Sequence, residues 1–136
     1  MNKRKSSLLA KVTPVTDLNT SVYLPRTQID KFKRAFTEEY GAKGKKEWLA
    51  ATVEVFVQLQ HRVDLATIED ITGFNSKNTK REGVRLSRKT VEHLERLEVE
   101  VRQKKPKSTI TRDGILRQII QWGIKQQYGI EPGDQH

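Results

Sequence analysis

Asn19-Thr20-Ser21-Val22-Tyr23-Leu24-Pro25 is the stretch on which the fold turns. From Asn19 to Leu24 the residues alternate, with Thr20, Val22 and Leu24 on one face and Asn19, Ser21 and Tyr23 on the other. A period of two marks a strand with one face on a core and one in solvent. Pro25 ends the strand because it has no N–H for a ladder, and its fixed φ suits the opening of a helix. Such a strand leaves its backbone groups without partners and is not stable alone.

A second strand is written in the same chain. Arg81-Glu82-Gly83-Val84-Arg85-Leu86-Ser87 repeats the alternation, and 84 − 22 = 62 separates Val84 from Val22. The same offset carries Leu24 to Leu86, Ile29 to Val91, Phe32 to Leu94 and Ala35 to Leu97. Ser87 stands in place of Pro25, a good N-cap where the first copy has a good first helical residue.

Each strand precedes two amphipathic segments. Ile29, Phe32, Phe36 and Tyr40 recur at spacings of three and four, which predicts a helix ended by Gly41. After Ala42-Lys43 and Gly44, a second helix is expected over 45–60, with Trp48, Leu49, Thr52, Val53, Phe56 and Leu59 inward. In the second copy Val91, Leu94, Leu97 and Val101 predict a helix to about Gln103. A longer connection, Lys104 to Ser108, follows; Thr111 is the expected N-cap of a last helix with Ile115, Leu116, Ile119, Ile120 and Ile124 inside. Beyond that connection the offset becomes 115 − 48 = 67, pairing Trp48 with Ile115. One register that shifts once, at a loop, is how a divergent duplication behaves. Between the copies Asp64 is expected to cap a short helix through Leu65, Ile68 and Ile71, ended by Gly73. Phe74 then packs back on the core, and a loop follows at 75–79.

A length of 136 residues fits one domain. The expected division is a basic arm at 1–18, a first strand-helix-helix repeat at 19–60, a connector at 61–80, a second repeat at 81–127 and a tail at 128–136. Antiparallel pairing of the strands would set Val22, Leu24, Val84 and Leu86 against a four-helix core. The expected class is therefore α+β, mostly α, with a two-stranded antiparallel ribbon.

A net charge of +9 points to an anionic partner, nucleic acid first. The absence of cysteine excludes disulfides, thiolate zinc sites and thiol nucleophiles. No apolar run approaches the roughly 20 residues that span a bilayer. Leu8-Leu9-Ala10 is too short for a signal-peptide core. A cytoplasmic location with no membrane partner is expected. His61, His93 and His136 are not at metal-ligand spacings, and Glu38-Glu39 and Glu98-Glu100 sit among Lys and Arg where i,i+4 pairing accounts for them. With no Gly-rich phosphate loop either, no catalytic residue, metal, cofactor or small-molecule substrate is expected.

The outward face of the paired strands would carry Asn19, Ser21, Tyr23, Arg81, Gly83 and Arg85, short, polar and partly basic. A two-stranded ribbon fits the DNA major groove, where each base pair shows a distinct donor and acceptor pattern. Arg81 and Arg85 are the candidates for bidentate guanine contacts and Asn19 for adenine. Because Asn-Ser-Tyr would oppose Arg-Gly-Arg, the expected core site is not a palindrome. Lys43, Lys45 and Lys46, with Lys104, Lys105 and Lys107, would add phosphate affinity that falls with salt. An apolar outward face would have favoured a protein partner, and the scarcity of aromatics on the strands disfavours RNA.

The series Val-x-Leu-Pro at 22–25, a three-four apolar helix, a Gly-containing turn and a second apolar helix resembles the ribbon-helix-helix (Arc/MetJ-like) family of DNA-binding proteins. The resemblance covers 19–60 and 81–127, and two copies in one chain resemble the tandem, TraY-like branch of that family. It implies base contacts from the six outward strand residues. It also implies phosphate held at the start of each second helix, near Lys45 and Lys46 in one copy and Thr111 and Arg112 in the other, where unpaired amides favour anions. Arg117 matches an arginine that family members often carry in the first turns of that helix, whereas Ala50 does not. The implied partner is double-stranded DNA, with other DNA-bound copies or a relaxase. The implied role is that of a relaxosome accessory factor or a transcriptional regulator of a mobile element, bacterial and nucleoid- or plasmid-associated. The alternative is a protein-interaction module of antitoxin or plasmid-partition type, because a fold does not settle a function.

Overall fold

Asp17 pairs with Ser87 and Pro25 with Thr79, so the two strands run antiparallel over their full lengths. The computed structural model describes residues 17–69 and 78–129. Its elements are β1 (Asp17–Pro25), α1 (Arg26–Tyr40), α2 (Lys45–Phe56), α3 (Arg62–Ala66), β2 (Thr79–Ser87), α4 (Arg88–Lys104) and α5 (Arg112–Tyr128). The fold is α+β and mostly helical, with a single two-stranded antiparallel sheet among the described residues. Both strands are longer than their alternation suggested: Asp17 and Leu18 open β1 instead of closing an arm, and Thr79 and Lys80 open β2. Residues 1–16 and 130–136 lie outside the described residues.

Ser21 is the Cα partner of Gly83. The offset of 62 carries one onto the other, so the ribbon is symmetric about this pair in its backbone. Val22, Leu24, Val84 and Leu86 are all buried, as their alternation requires. Glu82 shares their parity in β2, yet it is a carboxylate opposite Val22 and only half-buried.

Helix ends follow from local chemistry. The Ser87 hydroxyl accepts the Thr90 N–H at 3.2 Å, and the Thr111 hydroxyl accepts the Gly114 N–H at 3.3 Å. Pro25 is the cap of α1 and not its first helical residue, with ψ at 138° still extended. Gly41 ends α1 at φ 91°, a left-handed conformation that glycine adopts without strain. Gly44 is needed for space, because a Cβ there would lie 2.2 Å from the Tyr40 Cβ and 2.7 Å from its carbonyl oxygen.

Apolar residues of α1, α2, α4 and α5 close over the inner face of the ribbon. Phe32 meets Phe36 and Trp48 edge-on at 5.3 and 5.4 Å, and Phe56 meets Trp122 at 5.3 Å. Gln127 ties three helices together: its amide oxygen accepts Trp48 Nε1–H at 2.8 Å, and its amide nitrogen donates to the Ala35 carbonyl at 2.9 Å. Tyr40 is exposed rather than inward, because it occupies the last turn of α1 beyond the reach of that core.

The connector differs most from expectation. α2 stops at Phe56, and tight turns follow, with Gln58 N–H on Val55 O at 3.1 Å and Leu59 N–H on Phe56 O at 3.0 Å. These turns re-aim the chain so that α3 buries Val63 and Ala66. Asp64 lies inside α3 without capping it, and Ile68 is exposed. Ile71, Gly73, Phe74 and most of the expected loop fall outside the described residues. No helix among the described residues is long and apolar enough to cross a membrane.

Candidate nucleic-acid interface

The register gathers the six outward strand residues onto one face. Asn19 stands opposite Arg85, Ser21 opposite Gly83 and Tyr23 opposite Arg81. Five of the six are exposed, and Ser21 is half-buried. Both arginines reach across to β1. Arg81 Nε–H donates to Ser21 Oγ at 3.0 Å, and Arg85 Nε is 3.1 Å from Asp17 Oδ2.

One flank of this face is the N-terminus of α2. Lys43, Lys45 and Lys46 line a shallow concavity there with Asn19 and Arg85. Lys43 is exposed at its mouth. Lys45 Nζ donates to Glu82 Oε2 at 2.7 Å and to the Gly83 carbonyl at 2.8 Å, and it lies 5.8 Å from the centre of the Phe36 ring. Lys46 Nζ donates to Asp17 Oδ2 at 2.9 Å. Two of the three lysines therefore neutralise carboxylates of the ribbon. The hydrogen bond from Lys46, with the charges of Lys46 and Arg85, holds the Asp17 carboxyl below its ordinary value despite partial burial.

On the opposite flank the expected phosphate contacts fare unequally. Thr111 spends its hydroxyl on the α5 cap. Arg112 is half-buried, 3.9 Å from the Asp113 carboxylate, and among the described residues its Nε–H has no hydrogen-bond partner. Arg117 corrects the expectation outright. It is only 9% exposed, pairs with Glu69 through Nε and Nη2 and donates from Nη1 to the Tyr23 carbonyl at 3.1 Å. A guanidinium so enclosed ties the connector to α5 and β1 and has no access to a phosphate. Lys105 in the expected basic loop is likewise engaged, 3.1 Å from Asp64 Oδ1 and 3.0 Å from Thr67 Oγ1.

The residues missed from sequence are the acids that answer these cations: Asp17, Glu69 and Glu82. Glu82 carried a usable signal, since a carboxylate at an inward strand position needs a cationic partner. Asp17 shares the outward parity of Asn19 and could have been added to that face. Glu69 carried no signal, as its partner is 48 residues away. Among the described residues no cluster of three or more His, Cys, Asp or Glu could hold a metal ion. Comparison with protein-family models, with curated proteins and with solved structures finds no match to this chain.

Proposed function

We propose that the chain is a sequence-specific double-stranded DNA-binding protein, a tandem ribbon-helix-helix unit that lays β1 and β2 in the major groove. The observation that carries this reading is the outward face: three cross-strand rows, Asn19 with Arg85, Ser21 with Gly83 and Tyr23 with Arg81, on a ribbon of groove width. Lys43 and the first amides of α2 flank that face and would meet a phosphate. The net charge of +9 would draw the protein to DNA before any base is read. The process served is that of a relaxosome accessory factor or a transcriptional regulator of a mobile element. Footprinting on DNA flanking the protein's own gene is the test. Protection at a promoter supports regulation, and protection at a nicking site supports relaxosome assembly. Absence of any sequence-specific footprint overturns the DNA reading.

A groove between α2 and α5, lined by Trp48, Val55, Trp122 and Gly123, favours a second reading, a protein-interaction module of antitoxin or partition type. Val55 is 55% exposed there. A charge introduced there by Val55→Glu that abolished activity in the cell while DNA affinity stayed intact would favour it.

A further inference from the structure

We propose that Asp17 and Ser21 are positioning residues for the two base-reading arginines, holding Arg85 and Arg81 by Nε and presenting their terminal amino groups to guanine. The proposal rests on the ribbon being the DNA-reading face. Its geometric basis is that each arginine is met at Nε by a β1 side chain, Arg81 through a hydrogen bond and Arg85 through an ion pair. An arginine held at Nε keeps Nη1 and Nη2, the end-on pair whose spacing matches O6 and N7 of guanine. Among the described residues neither terminal group of Arg81 or Arg85 has another partner. The anchor at Arg85 is sheltered and the arm is not: the Asp17 side chain is 19% exposed and that of Arg85 63%. Holding the side chain before binding lowers the entropy lost when the groove is occupied.

The two anchors differ in charge, and this should make the arginines unequal. Asp17 is a carboxylate shared between Arg85 and Lys46, so it repels a phosphate placed beside Arg85. Arg85 is thereby biased towards a base edge. Ser21 is neutral and leaves the full charge of Arg81 available to bases and backbone alike. The device occurs on one strand only, because the offset of 62 carries Arg85 back to Tyr23 and Arg81 back to Asn19, so β1 has no arginine to be held. In the resulting division the guanine-reading arginines lie on β2 and the side chains that hold them on β1.

The test is selection of bound duplexes from a randomised library by the full chain, compared among wild type, Arg81→Ala, Arg85→Ala, Asp17→Asn and Ser21→Ala. The two arginine variants assign a guanine position to each arginine. Asp17→Asn is expected to lower the preference at the Arg85 position about two- to fivefold, the scale of an exposed ion pair, and to leave the Arg81 position unchanged. It should also tighten binding to unrelated DNA and steepen the salt dependence by about one phosphate contact. Ser21→Ala should relax the Arg81 position alone. In each variant the unaffected position reports that the ribbon is folded. Undiminished preference at the Arg85 position in Asp17→Asn overturns the positioning role alone. A wild-type chain that selects no motif overturns it together with the DNA reading.

Discussion

Ser21 and Gly83 face each other at the middle of the ribbon, and every cross-strand pair on one side of them has a counterpart on the other with the strands exchanged. Asn19 opposite Arg85 answers Tyr23 opposite Arg81. The backbone is symmetric about this pair and the side chains are not. Asp17, shared with Lys46, attends Arg85 at one end, whereas among the described residues Ser21 alone attends Arg81 at the other. Two ends of different chemistry suit a site without a palindrome.

Gly83 is open to substitution without strain, since a Cβ there meets nothing within 4 Å. Gly83→Ala should raise stability by about 0.5 kcal/mol, as glycine loses most conformational freedom on folding. Gly83→Glu should leave the melting temperature close to that of wild type and weaken DNA binding at least about tenfold, through a carboxylate facing the phosphate-lined groove. Thermal melts and electrophoretic shifts measure the two effects. Undiminished DNA binding by Gly83→Glu would remove the ribbon face from the interface.

Gly44 is the opposite case. With the Tyr40 backbone where its Cβ would go, Gly44→Ala should cost about 2 kcal/mol in urea unfolding, as forced overpacking does. A neutral effect would mean that the α1–α2 turn reorganises freely.

Arg117→Met should destabilise the fold by about 3 kcal/mol, because Glu69 keeps a largely enclosed charge without its partner. Adding Glu69→Leu should recover part of that loss. The salt slope of DNA binding should not change in the folded variant. A shallower slope with unaltered stability would restore Arg117 to the phosphate contacts.

Acid should act through Glu100, whose two carboxylate oxygens accept from Arg62 Nε at 2.8 Å and Nη2 at 2.7 Å. The hydrogen bond from Arg62 and its charge hold the Glu100 carboxyl below its ordinary value, against partial burial. The unfolded chain therefore takes up this proton first. The contribution is complete above the unfolded value of about 4.3 and is lost as pH falls through the folded one. Asp17, also lowered, acts in the same direction. Urea midpoints of wild type and Glu100→Gln should converge as pH drops from about 6 towards 3. A gap that stays constant would show that the ion pair adds nothing to stability.

Arg81→Ala should cost about 1–3 kcal/mol of discrimination at one base position. Lys43→Ala should weaken binding to all sequences alike and reduce the salt slope by about 0.9. Titrations of matched and mismatched duplexes across a salt series separate the two. Equal loss on every sequence for Arg81→Ala would make it a phosphate contact.

Local periodicity determined which face of each strand is buried, because Val22, Leu24, Val84 and Leu86 alternate with polar neighbours and a strand has no other way to hide them. It determined the helix stripes for the same reason, Tyr40 at the end of α1 excepted, and the caps at Ser87 and Thr111, whose hydroxyls bond amides three residues on. Tertiary structure decided everything that depends on partners distant in the chain. Arg117 reads as a surface cation until Glu69 and the Tyr23 carbonyl close around it, and Lys45 and Lys46 read as free lysines until the ribbon brings Glu82 and Asp17 to them. Burial of an apolar side chain is set by its own composition and its near neighbours. The availability of a charge is set by whichever opposite charge the fold places within a few ångströms of it.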